Sequence, residues 1–184
     1  MATRTSKLLV LDLDETLVFA GDGQPSREPD FRTGPYWVLK RPGLDIFIRE
    51  CIELFAVGIW TASTEHYAAD VVSHIFTDAG RPVFLWSRRR CTLHNDPELR
   101  ESYWIKDLKK LRRRGYRLED IIFVDDDRRN LSRNYGNLVC VSAYMGGLND
   151  NELPALMKFL SMLAEVPDVR TVEKHDWRGL CRVV

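Results

Sequence analysis

Short apolar runs alternate along the chain with longer segments in which apolar residues recur every three or four positions. A continuous short run is typical of a buried strand, and the longer spacing is typical of an amphipathic helix. The predicted strands are 8–14, 56–61, 82–86, 121–124 and 138–141, and the 82–86 run is also compatible with an edge position. The predicted helices cover about 44–55, 65–76, 103–114 and 152–165. This alternation predicts an α/β domain with a mostly parallel sheet.

Two connecting segments have no such periodicity. Residues 21–35 are rich in Gly, Pro and Asp, which predicts a loop or a small hairpin ending near 36–39. Residues 94–102 form a second polar segment. Ser63 or Thr64 is placed to cap the helix that begins at about residue 65.

Composition agrees with a folded domain of ordinary size. The chain has 184 residues, of which 45% are hydrophobic and 29% charged. Its formal net charge is zero, so the overall balance predicts no affinity for nucleic acid or an anionic membrane. The charge is uneven, because 88–90 and 109–114 are basic and 125–127 is acidic. A solvated surface is the favoured interpretation of the two basic clusters.

Four cysteines are scattered without metal-type spacing: Cys51, Cys91, Cys140 and Cys181. The seven residues before the first predicted strand do not resemble a signal peptide, and no apolar run reaches membrane-spanning length. We therefore expect a soluble intracellular protein, cytoplasmic or nuclear.

Polar side chains follow three of the predicted strands: Asp12 and Asp14, then Thr61, then Asp125 and Asp126. Ligands of parallel sheets bind at the carboxyl ends of the strands, so these side chains are expected to meet. Paired carboxylates need a cation to offset their repulsion. Lys106, at the start of the predicted helix 103–114, is one source of positive charge, and Mg²⁺ is another because it prefers oxygen ligands and bridges to phosphate.

This set of residues suits phosphoryl transfer. With its charge offset, Asp12 can attack phosphorus, and Asp14 can protonate the leaving oxygen. Thr61 and the backbone N–H groups that begin the following helix can hold phosphate oxygens.

In that order, the motifs at 12–16 (DLDET), Thr61, Lys106 and 125–126 resemble those of the haloacid dehalogenase superfamily. The closer resemblance is to its branch of small phosphatases acting on the carboxy-terminal domain of RNA polymerase II, which includes dullard and is called NLI-interacting factor-like. The segments 39–43 (LKRPG), 60–63 (WTAS) and 105–108 (IKDL) carry that likeness. It implies a Rossmann-like fold, a single phosphatase domain over 1–184 after a short lead 1–7, and Mg²⁺ as cofactor.

The resemblance also implies roles for individual residues. Asp12 would be the nucleophile and a metal ligand, and Asp14 the acid/base that gives its backbone carbonyl to the metal. Asp126 would be the side-chain metal ligand, supported by Asp125 and Thr16. Thr61 and Lys106 would bind the phosphoryl group, and Arg88 would engage the substrate. Residues 127–130 are expected at a helix start on the surface.

The spacing of the motifs bears on the substrate. Only 23 residues separate Thr16 from Lys40 and 44 separate Thr61 from Lys106, which leaves no room for a large cap domain. An open site suits a phosphoprotein or phosphopeptide, with phosphoserine or phosphothreonine favoured and nucleic acid not expected as a partner. Phosphotyrosine, nucleic-acid ends or a small metabolite stay open as substrates, and so does a non-catalytic peptide-binding role on the same fold. Segments 21–35 and 94–102 differ in length from those of the family, which leaves the polymerase tail itself open as a substrate.

Overall fold

The computed structural model describes residues 6–77, 80–98 and 100–180. Most of the lead and Cys181 lie outside the described residues. The strands are β1 (Leu8–Leu11), β2 (Val18–Gly21), β3 (Phe31–Thr33), β4 (Tyr36–Lys40), β5 (Ala56–Trp60), β6 (Leu85–Trp86), β7 (Thr92–Asp96), β8 (Glu101–Ile105), β9 (Ile121–Asp125) and β10 (Leu138–Cys140). The α-helices are α1 (Leu44–Leu54), α2 (Glu65–Ile75), α3 (Lys109–Arg112), α4 (Glu152–Glu165) and α5 (Trp177–Leu180).

The central sheet has five strands in the order β10-β9-β1-β5-β6, and every pairing in it is parallel. β1 lies in the middle, with Leu8 in register with Ala56 on one side and Ile121 on the other. Its four residues are fully buried because both faces of the sheet are covered, as their continuous apolar run indicates. The α/β prediction is confirmed, and the 82–86 run supplies the edge strand β6.

Alternation along β1 divides the core into two layers. Leu9 and Leu11 belong to the layer shared with α1, α2, α4 and α5. Leu8 and Val10 belong to the opposite layer, shared with residues of α3. Because side chains alternate along an extended strand, Asp12 continues on the Leu8 and Val10 side.

Two small antiparallel sheets are added to this framework. One has the order β2-β4-β3, so the expected loop or hairpin at 21–35 contains a strand, and its β3–β4 turn uses Gly34 at a φ of +54°. The other is the β7–β8 hairpin. Between the sequence motifs, the described residues form these two small sheets beside the central sheet and contain no large cap domain, as expected. No helix in the described part of the chain is long and apolar enough to cross a membrane.

The predicted helix over 103–114 is wrong in its first half. Residues 101–105 form β8, whose Ile105 pairs with Thr92 and whose Tyr103 pairs with His94, and α3 covers only Lys109–Arg112. Aromatic and β-branched residues at 103–105 favour a strand once a partner strand is available. Lys106 therefore enters the site from the end of a hairpin strand.

Candidate active site

The turn after β1 displays the two aspartates. The Asp12 amide still donates to the Val124 carbonyl at 3.0 Å, which keeps residue 12 against the sheet. The chain then turns sharply, with the Leu17 amide donating to the Leu13 carbonyl at 2.8 Å and Glu15 at a φ of +54°. The predicted strand 8–14 therefore ends at Leu11, because this turn takes over the hydrogen bonds of residue 13.

Lys106 is fully buried between two carboxylates. Its Nζ lies 2.7 Å from Asp12 Oδ1 and 2.7 Å from Asp125 Oδ2. The Asp12 contact is an ion pair with poor hydrogen-bond angles, while the Asp125 contact is also a hydrogen bond. Burial alone would lower the pKa of Lys106, but the two carboxylates raise it, so the ammonium stays charged. Burial raises the pKa of Asp12, and Lys106 opposes that rise.

Asn130 forms hydrogen bonds to both Asp125 and Lys106. Its Nδ2 donates to both Asp125 oxygens, at 3.0 and 3.2 Å, and its carbonyl accepts from the Lys106 amide at 2.7 Å. The side chain is buried, so the expectation of a surface position for residue 130 is wrong. Its amide stabilises Asp125, because buried carboxylates in folded proteins are hydrogen-bonded. No sequence pattern marks an amide five residues after a strand-end carboxylate.

Three carboxylates could hold a metal ion. Asp12, Asp125 and Asp126 each offer an oxygen, and these atoms lie within 4.8 Å of one another. Thr16 Oγ1 donates to Asp126 Oδ1 at 2.9 Å, which fixes that side chain. Burial raises the pKa of Asp126 and the nearby Asp125 adds to the rise. This unbalanced negative charge and all-oxygen donor set fit a hard divalent cation.

The side chain of Asp14 lies outside that group and has its own partners. Ser63 Oγ donates a short hydrogen bond to Asp14 Oδ2, and Tyr67 OH donates to Asp14 Oδ1 at 2.5 Å. Burial, followed by the charge of Asp14, raises the pKa of Tyr67, so the phenol remains a donor. Thr64 occupies the N-cap of α2 but makes no side-chain cap bond, contrary to expectation, and the hydroxyl of Ser63, the other expected cap, donates to Asp14. Sequence reasoning missed both Ser63 and Tyr67 as site residues.

Thr61 and Arg88 complete the surroundings. Thr61 is buried just after β5, and its Oγ1 accepts from the Ser63 amide at 3.0 Å, which leaves the hydroxyl proton available to another acceptor. Arg88 Nε donates to the Ala62 carbonyl at 2.5 Å. Arg88 also lines an open cavity of about 350 Å³ next to Asp14. The other residues lining this cavity are Ala20, Gly21, Asp22, Tyr36, Ser63, Thr64 and Tyr67.

The family model described as NLI interacting factor-like phosphatase matches residues 7–170, which is most of the chain. The chain belongs to this family. A Dictyostelium discoideum protein described as a probable C-terminal domain small phosphatase is 33% identical over 175 residues, covering 90% of this chain and 53% of that protein. Human carboxy-terminal domain RNA polymerase II polypeptide A small phosphatase 1 is 31% identical, covering 93% of this chain and 64% of that protein. The chain thus spans half to two thirds of the length of these relatives.

Solved structures agree on the fold. The fission yeast RNA polymerase II CTD phosphatase Fcp1 superposes with a TM-score of 0.56 at 20% identity, covering 98% of this chain and 50% of that one. A predicted HAD-like family hydrolase from Porphyromonas gingivalis superposes with a TM-score of 0.54 at 12% identity, covering 85% of this chain and 98% of that one. At these identities the likeness establishes the haloacid dehalogenase-like α/β fold.

Proposed function

We propose that this protein is a Mg²⁺-dependent phosphatase that forms an aspartyl-phosphate on Asp12 and acts on phosphoserine or phosphothreonine in proteins. The observation that carries the proposal is the contact of Asp12 with the buried ammonium of Lys106, at 2.7 Å, beside Asp125 and Asp126. A carboxylate in that setting can approach a phosphate dianion, because the local cations offset the repulsion between the two anions.

In the first step an Asp12 carboxylate oxygen attacks phosphorus. The Asp12 O–P bond forms while the bond between phosphorus and the substrate oxygen breaks. Asp14 gives its proton to that departing oxygen, so the alcohol leaves neutral. The product on the enzyme is an acyl phosphate on Asp12.

In the second step Asp14, now a carboxylate, takes a proton from water while the water oxygen attacks phosphorus. The Asp12 O–P bond breaks, which releases inorganic phosphate and restores the Asp12 carboxylate. The hydrogen bonds from Ser63 and Tyr67 orient the Asp14 carboxyl group for both proton transfers.

The phosphoryl oxygens would be held by Lys106 and by the Thr61 hydroxyl. Asp12, Asp126 and the backbone carbonyl of Asp14 would hold Mg²⁺, with Asp125 supporting both Lys106 and the ion. The bound ion would supply charge neutralisation at the phosphoryl oxygens.

The openness of the cavity at Asp14 and Arg88 supports a substrate presented by a macromolecule. The descriptions of the matched relatives as C-terminal domain phosphatases point the same way. We further propose that one phosphatase domain accounts for the described residues. The intracellular location stays a prediction.

Hydrolysis of an aryl phosphate, measured with Mg²⁺ and with a chelator, tests the mechanism. We expect turnover by the wild type with Mg²⁺ and its loss in Asp12→Asn. Asp120→Asn is the matched control, because Asp120 immediately precedes β9, at the opposite end of that strand from Asp125. Metal-independent turnover, or full activity in Asp12→Asn, would show that the mechanism is wrong. A panel of phosphoserine, phosphothreonine and phosphotyrosine peptides then tests the substrate preference.

A further inference from the structure

The fold brings together two basic clusters that are about twenty residues apart in the sequence. Lys110 Nζ, on α3, donates to the Arg90 carbonyl at 2.6 Å and contacts Thr92 Oγ1 at 3.3 Å. The guanidinium groups of Arg90 and Arg114 both stack on the Trp86 ring, at 5.3 and 5.0 Å from its centroid. One cationic surface is therefore assembled around a single tryptophan.

Arg89, Arg90 and Arg114 line a cavity of about 580 Å³, here called the basic pocket. Its one acidic lining residue is Glu65, which pairs with Arg89 at 3.2 Å. Within the described residues, Arg90 and Arg114 have no carboxylate within 4.0 Å. The chain has zero formal net charge, so the excess of positive charge is local to this pocket, where Glu65 is the one acidic lining residue beside three arginines.

The basic pocket adjoins the candidate active site. Arg88 lines the cavity beside Asp14, and Arg90 follows two residues later in the same 3₁₀ turn. The linings of the two cavities also meet at two places in the sequence, because Thr64 and Arg88 line the cavity beside Asp14 while Glu65 and Arg89 line the basic pocket. Because a bound extended peptide advances about 3.3 Å per residue, two to four residues span roughly 7–13 Å, which is enough to pass from the active-site cavity into the adjoining basic pocket.

We propose that the basic pocket binds a second anionic group, a phosphate or a carboxylate cluster, on the same polypeptide whose phosphorylated residue enters the active site. This proposal rests on the proposed phosphatase function and narrows its substrates to multiply phosphorylated or acidic segments. Guanidinium groups suit this role because they bind phosphate or carboxylate through two parallel hydrogen bonds. Stacking on Trp86 holds two of them in place before the ligand arrives.

A nucleic acid fits the pocket less well. Single-stranded nucleic acids bind by stacking bases on exposed aromatic rings, together with a long basic groove. Trp86 is 5% exposed, so its faces are not available to a base. A pocket with two arginines that lack an ion-pair partner among the described residues matches one anionic group better than a continuous phosphate backbone.

The test compares a phosphoserine peptide with the same peptide carrying a second phosphoserine three residues away, on either side. We expect kcat/KM to favour the doubly phosphorylated peptide on one side by about tenfold, the size of one charge-assisted hydrogen bond. The ratio of kcat/KM for the doubly phosphorylated peptide to that for the singly phosphorylated one should fall towards one in Arg90→Gln/Arg114→Gln and at high salt. It should stay unchanged in the control Arg112→Gln/Arg117→Gln, which removes equal charge from a different cavity. Thermal unfolding verifies that each variant is folded.

A ratio near one on both sides for the wild type, or an equal ratio in both double variants, would overturn the proposal. Binding of a single-stranded oligonucleotide that is lost in Arg90→Gln/Arg114→Gln while the peptide ratio is unchanged would assign the pocket to nucleic acid. Fluorescence anisotropy of the two peptides with Asp12→Asn separates this proposal from the proposed function. If the wild type hydrolyses nothing, the function fails, and preferential binding of the doubly phosphorylated peptide still decides the role of the pocket.

Discussion

Replacing Lys106 by methionine removes the cation from between Asp12 and Asp125 while keeping a side chain of similar length. At 2.7 Å and an effective dielectric constant of about 20, each ion pair has a gross attraction of about 6 kcal/mol. Burial of all three groups offsets much of that attraction. Breaking a buried ion pair by removing one partner lowers stability by about 3–5 kcal/mol, and we expect Lys106→Met to lower the free energy of unfolding by that amount.

The decisive check is whether a second substitution, Asp125→Asn, raises or lowers the free energy of unfolding. In the wild type, Asp125→Asn should lower the free energy of unfolding, because Lys106 loses one of its two partners. In Lys106→Met the same substitution should raise it, because one of two buried, uncompensated carboxylates is removed. The amide oxygen introduced by Asp125→Asn would still accept from the Asn130 side chain and from the Asp127 backbone N–H.

Urea unfolding at neutral pH with a chelator measures all four proteins as a double-mutant cycle. Lys109→Met, at an exposed position on α3, is the matched control and should change stability by less than about 0.5 kcal/mol. The reasoning is refuted if Asp125→Asn destabilises the Lys106→Met background, or if Lys106→Met itself costs less than about 1 kcal/mol.

Two other predictions concern hydrogen-bonded carboxylates. Ser63→Ala or Tyr67→Phe should each lower kcat on an aryl phosphate about tenfold or more, because a bond to the charged form of Asp14 is worth about 1.5–3 kcal/mol; an unchanged kcat would remove these residues from the mechanism. Asp150→Asn should lower the free energy of unfolding by about 1.5–3 kcal/mol at pH 7, because the buried Arg41 loses a two-point ion pair at 2.8 and 2.9 Å. Burial raises the pKa of Asp150, but Arg41 lowers it more, so the net pKa is below its usual value of 3.8. The stability difference between the wild type and Asp150→Asn should therefore be complete above about pH 5 and disappear as the pH falls through 3.8 and below. Urea unfolding at several pH values measures it.

The local pattern of the sequence was sufficient for the central sheet and for the main carboxylates. Apolar runs that end in Asp12 and in Asp125 predict buried parallel strands, and parallel strands place their carboxyl ends at one edge. Those two facts predict that Asp12, Asp125 and Asp126 share that edge, and the direct pairing of β1 with β9 places them side by side. The segment before Lys106 was misassigned, because the aromatic run at 103–105 shows its preference only when β7 pairs with it.

The hydrophobic pattern of the sequence does not predict contacts between side chains on different elements. The bonds of Ser63 and Tyr67 to Asp14 join residues about fifty positions apart, and Asn130 reaches Asp125 from a surface-like polar segment. Such contacts do not recur at a regular spacing in the sequence. Serine, tyrosine and asparagine are also common on solvated surfaces, so their presence alone does not indicate a buried contact.

The sequence by itself therefore determined the buried strands β1, β5 and β9 and the polar residues at their carboxyl ends, because a short continuous apolar run indicates a strand buried on both faces. Only the tertiary structure decided which groups satisfy the acids at those strand ends and that the clusters at 88–90 and 109–114 meet around Trp86. Charge and hydrogen-bond partners depend on distances of a few ångströms between elements, and these distances are set when the elements pack.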